Sequence, residues 1–393
     1  MRIAIVNMTG GGMCGGYRKY LRNIIPRMAA NRAVEALLCA SPKSLHVQDW
    51  FEPIENVKFV NCKAFPFLLH RVDKGLKKQL KKFLPDVIFA PVDRFFRFNE
   101  IPIVNMVQNM EPFVPCSEED PLSERVRQSI QIIDGKRSIR KSDRVIAISK
   151  FVRDFLINNW NIPKEKIGLV CHGIDIGGDG DVRQPSTVTA SRDSQFIFTA
   201  GSIRPARGLE DLLFAIKQLS TERQKKLNLV IAGDVSPRMA GYQKKLKNWI
   251  KRHKLSSKVC WAGHLNEAEM NWCYRNCDAF IMTSRVEACP NIALEAMSHG
   301  CICVSSNNPP LPEIFGSVAI YYPPKDGKTL AKQIQTVLSW DENRLGEASR
   351  EAKKHGNKFS WDVCTKKTMV ELRNITLAES EKNDVSFFIK KHQ

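Results

Sequence analysis

"DAFIMTSRVEACPNIALEAMSHGCICVSSN", residues 278–307, reads as strand, turn, helix and strand. "DAFIMTS" and "CICVSSN" are short apolar runs of the buried-strand kind. Between them a helix opens at Pro290, where a missing N–H costs nothing, and Gly300 stops it. Consecutive strands joined through a helix run parallel. The same alternation extends outward along the chain. Strands are expected at "RIAIV", "VEALLCA", "VKFVNC", "DVIFAP", "PIVNMVQN", "RVIAIS" and "IGLVCHG", and again at "QFIFTAGS", "LNLVIAGD", "KVCWAG" and "SVAIYY". Intervening stretches such as "GLEDLLFAIKQL" and "AGYQKKLKNWIKRHKL" read as helices. The expected class is α/β, with parallel sheets covered on both faces.

The two strand sets are separated by "GIDIGGDGDVRQPSTVTASRDSQ", which is rich in Gly, Ser, Thr and Asp and has no apolar period. A chain of 393 residues exceeds what one core usually supports. The expected organisation is a first domain over 1–175, a hinge over 176–194 and a second domain over 195–360. Two doubly wound domains on a hinge bind ligands at the carboxyl ends of their strands, in the cleft between them.

Composition narrows the class further. With 43% hydrophobic and 26% charged residues the chain is ordinary globular material. No run reaches the roughly 18 apolar residues of a membrane helix. "MRIAIVNMTG" is a strand rather than a signal peptide, so a cytoplasmic location is expected. The 12 cysteines lack zinc or disulfide spacing; Cys273 and Cys277 form a CxxxC with no partner pair, and buried free thiols are expected. "DGD", Asp179 to Asp181, sits in the linker, and no metal site is read from it.

The net charge of +19 is spread over both halves. "HRVDKGLKKQLKKFLPD", His70 to Asp86, places Leu76, Leu80, Phe83 and Leu84 at helical spacing among Lys77, Lys78, Lys81 and Lys82. Such a basic amphipathic helix suits an anionic membrane surface, so peripheral contact through 72–84 is one expectation. The plainer one is that its apolar stripe packs on its own sheet. No zinc finger or RNP-type aromatic pattern accompanies it, and no nucleic-acid partner is expected.

The chemistry concentrates at the opening stretch. Backbone N–H groups over Ala288, Cys289, Pro290, Asn291 and Ile292, at the helix start, form an anion site. Glu295 leans back toward it, since helical side chains point to the N-terminus. Glu287 and Glu295 are acceptors for the hydroxyls of a sugar or ribose attached to a phosphate. The alternative is that both merely complement the helix dipole, worth about 0.3–1 kcal/mol each. "TAGSIRPARGLEDLL", Thr199 to Leu213, adds Arg204 and Arg207, whose forked donors suit a diphosphate. "NMTGGGMCGGYRKYL" puts Gly10 to Gly12, Gly15 and Gly16 between the first strand and a helix, where backbone can approach phosphate. Its spacing is neither a Walker loop nor a clean GxGxxG.

Together these stretches resemble the retaining glycosyltransferases of family 4, which have the GT-B fold of two Rossmann-like domains. "EACPNIALE" matches the family's E-x7-E motif and "GSIRPARGLEDLL" its phosphate turn. "KVCWAGHL", "SDRVIAISKFVRDFL", "CHGID" and "PPLPEIFG" match other typical segments. "FSWDVCTKKTMVEL" matches the closing segment that crosses back, so 361–393 is expected to complete the first domain. The resemblance runs from about Met1 to Leu377. It implies that Glu295 holds ribose hydroxyls and Glu287 those of the transferred sugar. Arg207 and the amides after Glu287 would hold the diphosphate, Gly15 and Gly16 would approach the phosphate, and Gly263 and His264 would meet the base.

Two departures stand out. Ser202 occupies the place where many members carry arginine, leaving Arg204 as a substitute. In "VQNMEPF", Gln108 and Asn109 replace the usual histidine and aspartate. Gln108 can bond a hydroxyl but cannot act as a base. The resemblance implies transfer of a hexose to an acceptor hydroxyl, with the leaving diphosphate taking the proton. No metal or other cofactor is expected beyond the co-substrate. GDP-mannose is the preferred donor, ahead of UDP-glucose and UDP-N-acetylglucosamine, and the acceptor is a glycan or lipid-linked sugar. A nucleotide-sugar epimerase and a non-catalytic nucleotide-sugar or polyanion binder are the competing readings.

Overall fold

The structure is a computed structural model. It describes the chain apart from residues 9–14, 65–71, 115–121, 176–179, 189–194, 222–226 and 392–393. Thirteen strands form among the described residues, one at each expected stretch. In the first unit these are β1 (Arg2–Val6), β2 (Ala36–Pro42), β3 (Val57–Cys62), β4 (Val87–Ala90), β5 (Ile103–Val107), β6 (Arg144–Ala147) and β7 (Ile167–Leu169). In the second they are β8 (Phe196–Ala200), β9 (Asn228–Ala232), β10 (Val259–Gly263), β11 (Ala279–Met282), β12 (Cys303–Ser306) and β13 (Ala319–Tyr322).

The strands build two sheets, ordered β3-β2-β1-β4-β5-β6-β7 and β10-β9-β8-β11-β12-β13. Every pairing between these strands is parallel. Both orders reverse direction beside the first strand of their sheet, as in doubly wound folds. Each unit is therefore a Rossmann-like domain. Every residue of β4, β5, β8 and β11 is buried, which is why these strands lack polar alternation: helices cover both faces.

The chain divides into one compact unit of residues 1–113, 121–173 and 361–393, and another of 174–360 with the short segment 114–120. Within the first, the helix Trp361–Lys391 is held by buried Trp361 and Leu372 and by two ion pairs, Arg27 with Asp362 at 2.9 Å and Arg144 with Glu371. A Cβ on Gly168 would stand 2.3 Å from the Glu371 carboxyl carbon, so β7 needs glycine there for that helix to approach.

Two local expectations change. The basic helix runs Lys74–Phe83, capped by Asp73, which accepts from the N–H groups of Gly75 and Leu76. Leu76, Leu80 and Phe83 are buried within the unit, but Leu84 is not on the stripe. It ends the helix in the left-handed conformation, φ 51°, and is 68% exposed. What the helix presents to solvent is lysine. The stretch read as a linker is described from Gly180 to Val188, and there it is fastened to the second unit. Arg183 N–H donates to the Ala268 carbonyl at 3.1 Å, the Cys260 thiol to the Thr187 carbonyl at 3.1 Å, and Val188 is buried.

None of the ten described cysteines is in a disulfide, and the sulfurs of Cys277 and Cys301 are 4.0 Å apart. Burial pushes the Cys273 thiol up to about 12. Among the described residues no helix is long and apolar enough to cross a membrane, and no group of three His, Cys, Asp or Glu is arranged to hold a metal.

Candidate active site

The second unit's site grows from the carboxyl ends of four adjacent strands. After β8 the chain passes through Gly201 at φ 126°, Ser202 and an extended Arg204 into a single 3₁₀ turn, Pro205–Arg207. Gly208, at φ 61°, closes the turn by donating its N–H to the Pro205 carbonyl at 3.0 Å. Only glycine fits at Gly208, because a Cβ would lie 2.4 Å from the Thr283 carbonyl oxygen. Ser202 and Arg204 are half-buried in this turn.

That turn aims Arg207 at the loop after β11. Its guanidinium lies over Gly201, donates to Ser284 Oγ at 3.2 Å and forms an ion pair with Glu287. The two side chains are 21% and 12% exposed, so the contact is poorly screened. Arg207 and Glu287, read from the sequence as ligands of different substrate parts, are thus bonded to each other. The loops are braced from behind: Arg285 N–H donates to the Ala206 carbonyl at 2.8 Å, and its guanidinium reaches buried Asp211 at 2.9 Å. The Tyr322 hydroxyl and the Lys325 N–H also donate to Asp211.

The expected helix is present as Asn291–Ser298, with Pro290 as its N-cap residue and no side chain capping it. Ala293 and Leu294 direct their N–H groups back to the Pro290 carbonyl. Pro290 has no N–H of its own, so the amides that precede and open the helix are those of Ala288, Cys289, Asn291 and Ile292. Glu295, one turn in, accepts from the Tyr274 hydroxyl at 3.0 Å. Burial first, and the neighbouring Glu295 carboxylate second, hold the Tyr274 phenol well above its ordinary range, so it stays a donor. His299 stacks on Tyr274 with ring centroids 5.1 Å apart. Tyr274 lies in the helix Glu267–Asn276, outside the motif, and no residue pattern announced it.

Farther along the same edge, β9 and β10 also end in glycines with positive φ, Gly233 at 142° and Gly263 at 70°. Gly233 N–H donates to the Gly263 carbonyl at 2.7 Å, and a Cβ on Gly233 would sit 1.9 Å from the Gly201 oxygen. Gly263 has open space where its Cβ would be. The adjoining His264 ring nitrogen Nδ1 meets Asp234 at 2.9 Å, both side chains being exposed.

The remaining candidates stand on the first unit. Gly15 and Gly16 open the helix Gly15–Ala29, and nothing lies within 4 Å of where a Cβ of Gly15 would go. Gly10 to Gly12 fall outside the described residues. Gln108, after β5, is half-buried and anchored by its amide nitrogen to the Pro91 carbonyl at 2.9 Å. Asn109 accepts the Glu111 N–H at 3.0 Å, a local turn bond. At the end of β4, Asp93 is half-buried, and burial raises its carboxyl to about 6. Beside it Arg94 pairs with Asp134 at 3.3 Å.

Two family models match the chain: Glycosyltransferase Family 4 over residues 14–177, and Glycosyl transferases group 1 over 184–355. The chain belongs to the family 4, group 1 glycosyltransferases. An uncharacterized glycosyltransferase of Methanocaldococcus jannaschii is 24% identical over 241 residues, 59% of this chain and 60% of that protein. The serotype-specific mannosyltransferase WbdA of Escherichia coli is 25% identical over 228 residues, 56% of this chain. The matched part is 27% of WbdA, and the chain spans less than two thirds of either relative. In fold it is similar to Anabaena Alr3699/HepE solved with UDP-glucose, with a TM-score of 0.71 at 17% identity, covering 95% of this chain and all of that one.

Proposed function

We propose that this family 4 chain transfers a hexose, with retention, from a nucleoside-diphosphate sugar to an acceptor hydroxyl. The observation that carries the reading is the Arg207–Glu287 pair beside the uncapped helix start, with Glu295 held by Tyr274 one turn behind. Arg207 and the amides of Ala288, Cys289, Asn291 and Ile292 face the charge that grows on the diphosphate as the bond to the sugar breaks. The guanidinium then exchanges part of its contact with Glu287 for diphosphate oxygens, leaving the carboxylate to accept a hexose hydroxyl. Glu295 accepts the ribose hydroxyls, with Tyr274 fixing the carboxylate's orientation. The glycine edge at Gly263 and His264 takes the base. Ser202 and Arg204 border the phosphates, and Gly15 and Gly16 are the first unit's candidates for backbone contact with phosphate.

Family members are retaining enzymes. The bond from the anomeric carbon to the diphosphate breaks as the bond to the acceptor oxygen forms on the same face. The acceptor proton passes to the departing diphosphate oxygen. No base is required of the protein, in keeping with Gln108, whose anchored amide can only orient a hydroxyl. Arg207 and the helix amides supply the charge stabilisation that a cation would otherwise provide, so no metal is invoked. GDP-mannose is the first donor to test, on the likeness to a mannosyltransferase, with UDP-glucose and UDP-N-acetylglucosamine next; the acceptor class is a glycan or a lipid-linked sugar.

The reading is tested by incubating the protein with each donor and an oligosaccharide panel, following nucleoside diphosphate release and the anomeric configuration of the product by NMR. Transfer with the donor's configuration kept supports it. An isomerised sugar nucleotide, or an inverted product, overturns it.

A further inference from the structure

A concavity lies on the first unit, lined by residues to which no role has been assigned. It encloses about 120 Å³ at the carboxyl ends of β2 and β3. Cys39 pairs with Phe59 and Ser41 with Asn61 across the ladder, so alternation puts all four on one face. The segment after β2 folds over that face through two short 3₁₀ turns, Lys43–Leu45 and Val47–Trp50. His46, the residue between them, takes the left-handed conformation at φ 47°, uncommon for a residue with a side chain. The result has an apolar floor of Cys39 and Phe59 and a polar rim of Lys43, His46, Gln48 and Asn61. Phe51 stacks on Phe59 at 5.3 Å and stiffens one wall.

The lining matches one kind of ligand. Its volume is close to the cavity of about 150 Å³ that accepts a benzene ring, so a six-membered ring is the right scale. An apolar floor suits the C–H face of a pyranose, and the two amides suit neighbouring hydroxyls. The side chains of Lys43, Gln48 and Asn61 take no partner among the described residues. The lining holds Lys43 and His46; His46 Nδ1 stands 3.4 Å from the Asp49 carboxylate, which is outside the lining, so Lys43 is the cation left facing the concavity.

We propose that this concavity is a sugar subsite for an anionic hexose unit, one bearing a phosphate or a carboxylate. It rests on the transferase reading only in taking that unit for part of the acceptor. At about 4.8 Å between strands, β2 and β3 stand roughly 14–19 Å from Gln108 on β5. The unit bound here is therefore a distal residue of a longer acceptor, and the reacting hydroxyl lies elsewhere. The subsite raises acceptor affinity and selects charge without touching the bond that forms.

The test uses saturation-transfer NMR on the full chain with glucose 6-phosphate, glucuronate, glucose and inorganic phosphate as probes. The two anionic sugars are expected to bind several-fold more tightly than glucose or phosphate alone. The double variant Lys43→Met, Asn61→Leu should weaken them about tenfold through loss of a charged and a neutral hydrogen bond. Lys58→Met, which removes the same charge from the opposite face of β3, should change nothing. Glucose binding as well as the anionic sugars, or equal binding by the double variant, overturns the subsite. Donor titration on the same samples keeps the two readings apart. Donor binding without sugar-phosphate binding removes the subsite alone; Lys43-dependent sugar-phosphate binding without any donor removes the transferase reading and leaves the subsite.

Discussion

The strand ends of the second unit are charged, cross-braced and crowded, whereas those of the first, apart from Asp93 and the Arg94–Asp134 pair after β4, carry neutral amides tied to the backbone. Arg207, Glu287, Arg285 and Asp211 form two ion pairs that lock neighbouring loops, and three strands end in glycines with positive φ. In the first unit Gln108 bonds a carbonyl, Asn109 bonds its own turn, and Gly15 has open space around it. Preorganised charge is what a leaving diphosphate needs, because its charge develops in one fixed place. An acceptor hydroxyl stays neutral until late and needs only orientation. The contrast follows the chemistry proposed for each side.

The sharpest way to break this contrast is at Arg207. Arg207→Met should lower kcat by about 10²–10³, the usual cost of losing a preorganised donor to developing charge. Steady-state rates, read beside a melting curve, check it. A loss no larger than that of Gln108→Ala would erase the distinction between the two edges.

Glycines test the same contrast through stability. Gly233→Ala puts a Cβ 1.9 Å from the Gly201 oxygen at φ 142°, and should cost on the order of 2–3 kcal/mol in denaturant unfolding. Gly15→Ala meets nothing within 4 Å at the start of a helix, and should be neutral or stabilise by about 0.4–1 kcal/mol. If Gly15→Ala leaves stability intact and lowers transfer, that glycine is kept for approach to a ligand and not for the fold.

Asp93 offers a pH test of the first unit. Burial raises its folded carboxyl to about 6, above the ordinary aspartate value, so folding favours the neutral acid. Its stabilising share is complete below the unfolded value and is lost as pH rises through about 6. Asp93→Asn should flatten the fall in stability between pH 4 and 6.5 by about 2 kcal/mol. An unchanged slope would mean that other groups set it.

Tyr274→Phe is the mildest change. It removes the hydroxyl bonded to Glu295 and leaves the ring stacked on His299, so donor affinity should fall about tenfold at most, with little change in melting temperature. Calorimetric titration reads the affinity directly.

Much of this was legible before the structure. The strands could be read because fully buried parallel strands are uninterrupted apolar runs, as "VIFA" and "AFIM" are. The glutamates of "EACPNIALE" could be read because their spacing belongs to one loop–helix unit. The Arg207–Glu287 pair could not, since its members stand 80 residues apart and meet only because β8 and β11 are neighbours. Tyr274 was hidden for the same reason, reaching Glu295 from another helix. Leu84 was misread because a left-handed leucine at a helix end leaves no glycine signal. The segment before Val188 looked like a free linker because its capture depends on Ala262, Ala268 and Cys260, none of which shows in its own composition.

The central claim is that Glu295 and its neighbours form a nucleoside-diphosphate-sugar site. Calorimetric titration with GDP-mannose, UDP-glucose and UDP-N-acetylglucosamine, without added metal, tests it directly when wild type and Glu295→Ala are compared. The account predicts micromolar binding of one donor and a loss of tenfold or more in the variant, on the order of the 1.5–3 kcal/mol of a charged hydrogen bond. Equal binding by the variant, or no binding of any donor by the wild type, would contradict it and reduce the motif to the ordinary start of a helix.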